Sequence, residues 1–170
     1  MEIKNIGGTI VLKTAEGSSL VGVDLRGTDL RGADLHGLRL WNADFSKSNL
    51  RGADLSGANL RDADLRDADL MCADLSEVNL QDADLSGANL WGVDLQDADL
   101  HGANLRDVNL TKAALTGADL SGADLSGADL SETGFSTVDF VDANLIGTGL
   151  TKEVLLERGA VFNDNTVFDK

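Results

Sequence analysis

A leucine or phenylalanine recurs at every fifth position of this chain from Leu20 to Leu150. Of the 26 such positions from 25 to 150, 23 are Leu and three are Phe. The residue two places earlier is Ala in 16 repeats and Val in five, and the residue one place earlier is Asp in 15 and Asn in seven. The five positions of a repeat such as 51–55 (Arg-Gly-Ala-Asp-Leu) are called its first to fifth slots below. This regularity predicts a repeat architecture that uses a few residue types over and over.

A period of five fits neither of the regular secondary structures. Leucines five apart would move around an α-helix by about 140° per step, which leaves no apolar face. Along a straight strand they would alternate between the two faces of a sheet. A chain that turns a corner once per repeat does fit, because the third and fifth slots then point inward and the fourth slot outward, while Gly52 and Gly57 suit the corners. Four corners close a square coil of about 20 residues, and coils stacked at about 4.8 Å give a column roughly 31 Å long.

This pattern resembles the pentapeptide-repeat family, whose motif is Ala-(Asp/Asn)-Leu followed by two variable residues. The resemblance extends over about 130 of the 170 residues. It implies an all-β fold, the right-handed quadrilateral β-helix with four pentapeptides per coil, and the handedness rests on the resemblance alone. We therefore expect a single domain with an N-terminal cap over 1–17, a repeat solenoid over 18–152 and a C-terminal cap over 153–170.

The N-terminal end of such a column needs a cap, because an open end exposes unpaired backbone and core leucines. Residues 9–12 (Thr-Ile-Val-Leu) predict a short strand that could serve. Leu38 replaces the usual Ala of the third slot, one coil above Ser18. We expect the larger side chain to fill space beneath the N-terminal cap.

The C-terminal end carries its own signals. Thr151 is the predicted N-cap of a short helix over 152–158, which Gly159 ends. Two roles stay open for the apolar residues of this end, a cap on the last coil or an end-to-end contact between two copies of the chain: Leu155, Phe162, Val167 and Phe168.

The chain is strongly acidic, with a formal net charge of −15. This charge disfavours direct binding of nucleic acids and anionic membranes, which requires basic patches, and it favours a basic partner. No apolar run reaches the length of a membrane span or has the form of a signal peptide, so a cytoplasmic protein is expected. The single cysteine, Cys72, lies in an outward slot, and no intramolecular disulfide is possible.

Outward residues 20 positions apart should stack on one side of the column. This places Trp41 beside Arg61, as a cation–π pair, and Met71 beside Trp91, as a sulfur–aromatic pair. The simplest interpretation is ordinary cross-strand pairing on a solvated surface. The alternative is that Trp41, Arg61 and Trp91 anchor a partner protein, because Trp and Arg are typical of binding hot spots.

The acidic residues are the second candidate surface. Residues 20–150 carry a net charge of −14, or about one charge per 2 Å of column, close to the ~1.7 Å of duplex DNA. The segment after Lys112 lacks Lys and Arg as far as Leu150. Its candidate partner-binding residues are Asp119, Asp124, Asp129 and Asp139.

The resemblance gives this acidity two interpretations. Pentapeptide-repeat proteins linked to quinolone resistance act as DNA mimics on type II topoisomerases such as DNA gyrase, and this is the alternative function. However, Asp or Asn belongs to the motif of every member, and the loops that interrupt the ladder in the Gram-negative quinolone-resistance proteins are missing here. The expected function is therefore a protein-interaction module or scaffold with an unknown protein partner.

No catalytic, cofactor or metal site is expected. His36 and His101 fall on different sides of the column, and the motif places neither beside a serine or cysteine. Columns of aspartate do not suit Ca²⁺, which needs six or more oxygens around one point, whereas a flat side does not converge. The sequence thus predicts a protein that is not an enzyme.

Overall fold

The chain winds into a stack of coils in which each repeat pairs with the repeat 20 residues later. The computed structural model describes residues 2–13 and 20–169. Asp54 forms a parallel bridge with Asp34 on one side and with Asp74 on the other. Three backbone bonds per repeat join the coils: Leu55 N–H donates to Asp74 O (2.8 Å), Asp74 N–H to Ala53 O (2.9 Å), and the second-slot N–H to the first-slot carbonyl above it. The four-sided coil of 20 residues predicted from the spacing is confirmed.

The core is the axis of the column. Every fifth-slot residue from Leu20 to Leu150 is buried, and the third slots fill the space between them from Ala33 to Ala143, apart from the half-buried Leu38. Burial of so many Leu side chains, each contributing roughly 1.5–3 kcal/mol, is the main stabilising term. Towards the C-terminal end Phe135 and Phe140 replace two leucines, with ring centroids 6.0 Å apart in an edge-to-face arrangement.

The corners are turns with a left-handed second residue. The third-slot N–H closes the turn on the preceding fifth-slot carbonyl, as from Ala53 to Leu50 O (3.0 Å), in every repeat except that of Val138. The second slot has a positive φ in all 26 repeats from 22 to 147, yet only 13 of these residues are Gly. Thr137, with φ 57°, is the β-branched exception, and such residues adopt this conformation at a cost.

The N-terminal residues form a small hairpin against the first coils. Strand β1 (Glu2–Lys4) pairs antiparallel with β2 (Ile10–Lys13). The strand predicted at 9–12 is thus present one residue later, whereas β1 was not predicted. Ile3 of β1 is buried and joins the core. Ser18, the expected neighbour of Leu38, lies outside the described residues, as does part of the predicted cap boundary.

The C-terminal residues form a helix and then return to the coil. Helix α1 (Lys152–Glu157) begins after Thr151, whose side chain accepts from Val154 N–H (3.4 Å), and ends one residue earlier than predicted. Beyond it, Val161 bridges to Asp139 and Val167 to Asn144, so the tail continues two sides of the square.

Candidate interaction surface

The fourth-slot side chain accepts a hydrogen bond from the first-slot N–H of the next repeat, which is the one backbone N–H that is not bonded within or between coils. Ser56 N–H donates to Asp54 Oδ1 (3.0 Å), and Arg51 N–H donates to Asn49 Oδ1 (3.3 Å). All 22 Asp and Asn residues of the fourth slot make this bond to the first slot of the next repeat. This role was not predicted from the sequence, although an Asp or Asn two residues before a turn position is its usual signal.

The fourth slot therefore needs an acceptor and not a charge. The outward surface can be divided into four sides. Each side consists of one column of fourth-slot residues together with the first-slot and second-slot residues that follow them at the corner. Side A has its fourth slots at 24 and every twentieth residue after it, side B from 29, side C from 34 and side D from 39. Between residues 20 and 150 the net charges of these sides are −3 for A, −1 for B, −6 for C and −4 for D. The acidity is thus concentrated on two adjacent sides.

Side C carries six carboxylates and no Lys or Arg. Its centre is a continuous column of stacked aspartates, Asp34, Asp54, Asp74 and Asp94. Hydroxyl groups of the corner support them, with Ser56 Oγ donating to Asp54 Oδ1 (2.5 Å). This hydroxyl and the Ser56 N–H hold the pKa of Asp54 below its usual value. Within the described part of the chain, no Lys or Arg forms an ion pair with the four aspartates.

Side A is different because arginines pair with several of its aspartates. Arg26 binds Asp24 through two bonds, Nε to Oδ1 (2.9 Å) and Nη2 to Oδ2 (2.6 Å). Arg66 binds Asp64 in the same way (2.9 and 2.5 Å). The hydrogen bonds from the Arg26 side chain and backbone lower the pKa of Asp24 to about 2. Such two-point pairs leave little charge free for a partner.

The four acidic residues selected from the sequence do not share a side. Asp119 and Asp139 stack on side D, Asp124 lies on side A and Asp129 on side B. Asp124 is also paired with Arg106 of the coil below (Nη1 to Oδ2, 3.3 Å). The segment after Lys112 therefore has basic neighbours in the folded chain, because the coil brings residues 18–20 positions apart together.

The two tryptophans lie at diagonally opposite corners, since they are two and a half coils apart. The expected cation–π pair of Trp41 with Arg61 is not formed. Arg61 instead contacts the carboxylates of Asp62 (3.3 Å) and Asp82 (3.7 Å), which attract a guanidinium more strongly than an indole does. Trp41 remains 44% exposed.

Trp91 has more neighbours on side B. Lys112 Nζ lies 5.4 Å from the centroid of the Trp91 ring. A shallow depression beside the ring is lined by Met71, Asn89, Trp91 and Asn109. Met71 and Trp91 thus line the same depression, and their sulfur–aromatic contact stays a prediction.

The two histidines correct the sequence analysis. His36 Nδ1 lies 2.9 Å from Ser56 Oγ, and His101 Nδ1 lies 2.9 Å from Ser121 Oγ. The prediction that neither histidine has a serine neighbour was wrong, because the 20-residue coil stacks His36 on Ser56 and His101 on Ser121. Both pairs are exposed, and the Ser56 hydroxyl donates to Asp54, so it belongs to a surface polar column.

The selected C-terminal residues lie at the end of the column. Leu155 of α1 is buried, Phe162 and Phe168 are partly buried and meet edge to face at 6.0 Å, and Val167 is 44% exposed. Arg158 Nη1 donates to Thr133 O (3.2 Å), a carbonyl at the open edge of the last coil.

Other kinds of site have little support in residues 2–13 and 20–169. No group of His, Cys, Asp or Glu side chains there could hold a metal ion. Cys72 is exposed and free. Among these residues no helix has the length and apolar character to cross a bilayer.

Known proteins share the repeat and the coil. A family model described as pentapeptide repeats matches in eight copies, over 15–46, 40–71, 73–111 and 109–147. A pentapeptide repeat protein of the Arabidopsis thaliana thylakoid lumen is 32% identical over 84% of this chain and 83% of its own, with a TM-score of 0.50. Rfr23, a pentapeptide repeat protein from the cyanobacterium Cyanothece 51142, is 30% identical over 88% and 90%, with a TM-score of 0.45.

QnrB1, a plasmid-mediated fluoroquinolone resistance protein, is 21% identical over 89% of this chain and 92% of its own, with a TM-score of 0.49, and this likeness concerns the fold alone. No curated protein sequence matches the chain. Proteins of this repeat type form right-handed quadrilateral β-helices, which agrees with the four-sided stack described above.

Proposed function

Because this chain belongs to the pentapeptide-repeat family, we propose that it is a non-enzymatic protein-interaction module that binds a basic surface of a partner protein through side C. The observation that carries this proposal is the column of four stacked aspartates on that side, none of which is paired with a Lys or Arg of the described residues.

The charge of side C exceeds what the fold requires. Asn49, Asn89 and Asn109 accept the same backbone N–H on side B without any charge. Two unit charges about 5 Å apart in water repel by about 1 kcal/mol, so a column of aspartates at the coil spacing costs stability. A charge that the turn bond does not need is best explained by a partner that neutralises it.

The test exploits the equal shape of Asp and Asn. The double variant Asp54→Asn/Asp74→Asn keeps both backbone acceptors and removes two charges from side C. The matched control, Asp84→Asn/Asp129→Asn, removes two charges from sides A and B, where both carboxylates also accept a backbone N–H. Binding of a deca-lysine probe at low salt should weaken about tenfold in the side C variant and far less in the control. Equal weakening would mean that only net charge matters, and the proposal would fall.

A second candidate function is mimicry of DNA on a type II topoisomerase. It is favoured by the charge density, about one net charge per 2 Å of column against ~1.7 Å in duplex DNA. A supercoiling assay with DNA gyrase tests it. Micromolar protein should inhibit supercoiling or relieve quinolone inhibition, and the side C variant should be weaker. No effect of the wild-type protein on either activity would exclude this candidate.

For the C-terminal residues we propose the capping role over the dimer contact. The rings of Phe162 and Phe168 pack on each other and on the core of their own chain, and the Val167 backbone bonds to Ala143 and Leu145. Light scattering should then give a monomer of 17.8 kDa. A dimer that Phe168→Asp converts to monomer would reverse this assignment.

A further inference from the structure

The depression beside Trp91 differs chemically from the rest of the surface. Trp91 and Met71 are half-buried apolar side chains in the first slot, which otherwise carries mostly polar residues. The fourth slots next to them are Asn89 and Asn109, two neutral residues in succession on the side with the smallest net charge. An apolar floor in a neutral setting, on a chain of charge −15, is unlike the aspartate column of side C.

The polar groups of this depression are mainly donors. Asn89 Oδ1 already accepts from Trp91 N–H (3.3 Å) and from Asn109 Nδ2 (3.3 Å). Each Asn amide donates one N–H down the column, as from Asn89 to Asp69 Oδ1 (3.2 Å), which leaves its second N–H without a partner among the described residues. The Trp91 indole N–H makes no hydrogen bond to the described residues. A ligand that fits must therefore bring acceptor oxygens.

Two cations border the apolar floor, and both are loosely paired. Arg51 Nη2 lies 3.0 Å from Met71 Sδ, and its ion pair with Asp69 is 3.4 Å long. Lys112 stands over the Trp91 ring, and its ion pair with Glu132 is 3.8 Å long. The bidentate pairs of side A are 2.5–2.9 Å long by comparison. Arg51 and Lys112 can turn to a carboxylate of a partner at small cost.

We propose that the Trp91 depression binds a second partner segment, a peptide in which an apolar side chain is flanked by carboxylates. The apolar side chain packs on Trp91 and Met71, and the carboxylates receive Arg51, Lys112 and the free amide N–H groups. This site goes beyond the proposed function, because its ligand has the opposite charge and it lies on side B.

Trp91 fluorescence provides the test, because the chain has only two tryptophans. In a Trp41→Phe background, the acetylated peptide Glu-Glu-Phe-Glu-Glu should change Trp91 emission saturably at 0.15 M salt, with a dissociation constant below about 1 mM. Arg51→Gln/Lys112→Gln should weaken binding about tenfold. The matched variant Arg26→Gln/Lys47→Gln removes two charges from side A and should leave binding unchanged.

Several outcomes would overturn the proposal. They are the lack of a saturable change up to about 1 mM peptide, equal weakening in the two double variants, equal binding of a peptide with Gly in place of Phe, and stronger binding at Trp91 of Lys-Lys-Phe-Lys-Lys. None of these results bears on side C, which is measured with deca-lysine and a different pair of variants. The two proposals can therefore fail separately.

Discussion

Each slot of the repeat has its own structural role, and the third slot normally holds a small apolar side chain that points into the core. Ser48 is an exception, because it places a hydroxyl group there. It occupies a third slot with 1% exposure, and its hydroxyl has no hydrogen-bond partner among the described residues. Thr133, another buried hydroxyl of the third slot, donates to Leu130 O at 2.6 Å. The same slot is therefore harmless for a hydroxyl that reaches a carbonyl and costly for one that does not.

Replacing Ser48 by Ala should stabilise the protein. Ala is the usual third-slot residue, and the change removes an unsatisfied buried hydroxyl, so the free energy of unfolding should rise by about 1 kcal/mol. Urea unfolding measures it. The matched change Thr133→Val, which removes a satisfied hydroxyl, should lower the unfolding free energy; a loss in both variants would mean that Ser48 has an unseen partner such as a buried water.

The Asp24–Arg26 pair predicts a pH dependence. The pKa of Asp24 in the folded protein is about 2, below the ordinary value of 3.8. The contribution of Asp24 to stability is therefore complete above about pH 4 and is lost as the pH falls through 2. Carboxyl-carbon NMR should find Asp24 titrating near 2. In Arg26→Gln the pKa of Asp24 should rise towards 3.8, because the hydrogen bond from the Arg26 side chain is the largest cause of the shift. An unchanged pKa would mean that the backbone N–H causes the shift instead.

Among the elements, helix α1 offers a direct comparison of two adjacent leucines. Leu155 is fully buried against the last coil, whereas Leu156 is 68% exposed. Leu155→Ala should reduce the free energy of unfolding by about 2–5 kcal/mol, as in other buried Leu→Ala changes. Leu156→Ala should change it by less than about 0.5 kcal/mol. Similar small effects in both would mean that α1 contributes little to the stability of the column.

The elements also separate what the sequence could predict from what it could not. The coil and the positions of Leu and Ala follow from a strict period, because burial repeats with the chain geometry. Helix α1 follows from local signals at Thr151 and Gly159. Strand β1 carries no such signal, since a short strand owes its existence to pairing with β2. The surface was harder still: the acidic residues near Asp124 were grouped along the chain, but the coil distributes them over three sides.

For the molecule as a whole, the main electrostatic term is self-repulsion. Residues 20–150 carry a net charge of −14, and sides C and D hold most of it. Raising the ionic strength from 0.01 to 0.15 M shortens the Debye length from about 30 to about 8 Å and screens charges on different coils from one another. Salt also weakens the local ion pairs, but the screened repulsion is the larger effect. The free energy of unfolding should therefore rise with salt.

Thermal unfolding followed by circular dichroism measures this effect. The midpoint should rise with NaCl over that range, by roughly 3 °C for each kcal/mol of repulsion removed. The variant Asp54→Asn/Asp74→Asn should have a smaller salt response, because two of the mutually repelling charges are removed. A midpoint independent of salt in the wild-type protein would show that the aspartate columns do not oppose folding.

The fourth-slot hydrogen bond separates the charge of this protein from its shape. Asp and Asn place the same oxygen on the same backbone N–H, so either residue completes the turn. The 15 fourth-slot aspartates equal the formal charge of −15 of the whole chain, and exchanging all of them for Asn would give a chain without net charge whose 22 turn bonds are still possible. Single-base changes between Asp and Asn codons can therefore alter the charge of one side of the column at a time, while the leucine core stays unchanged.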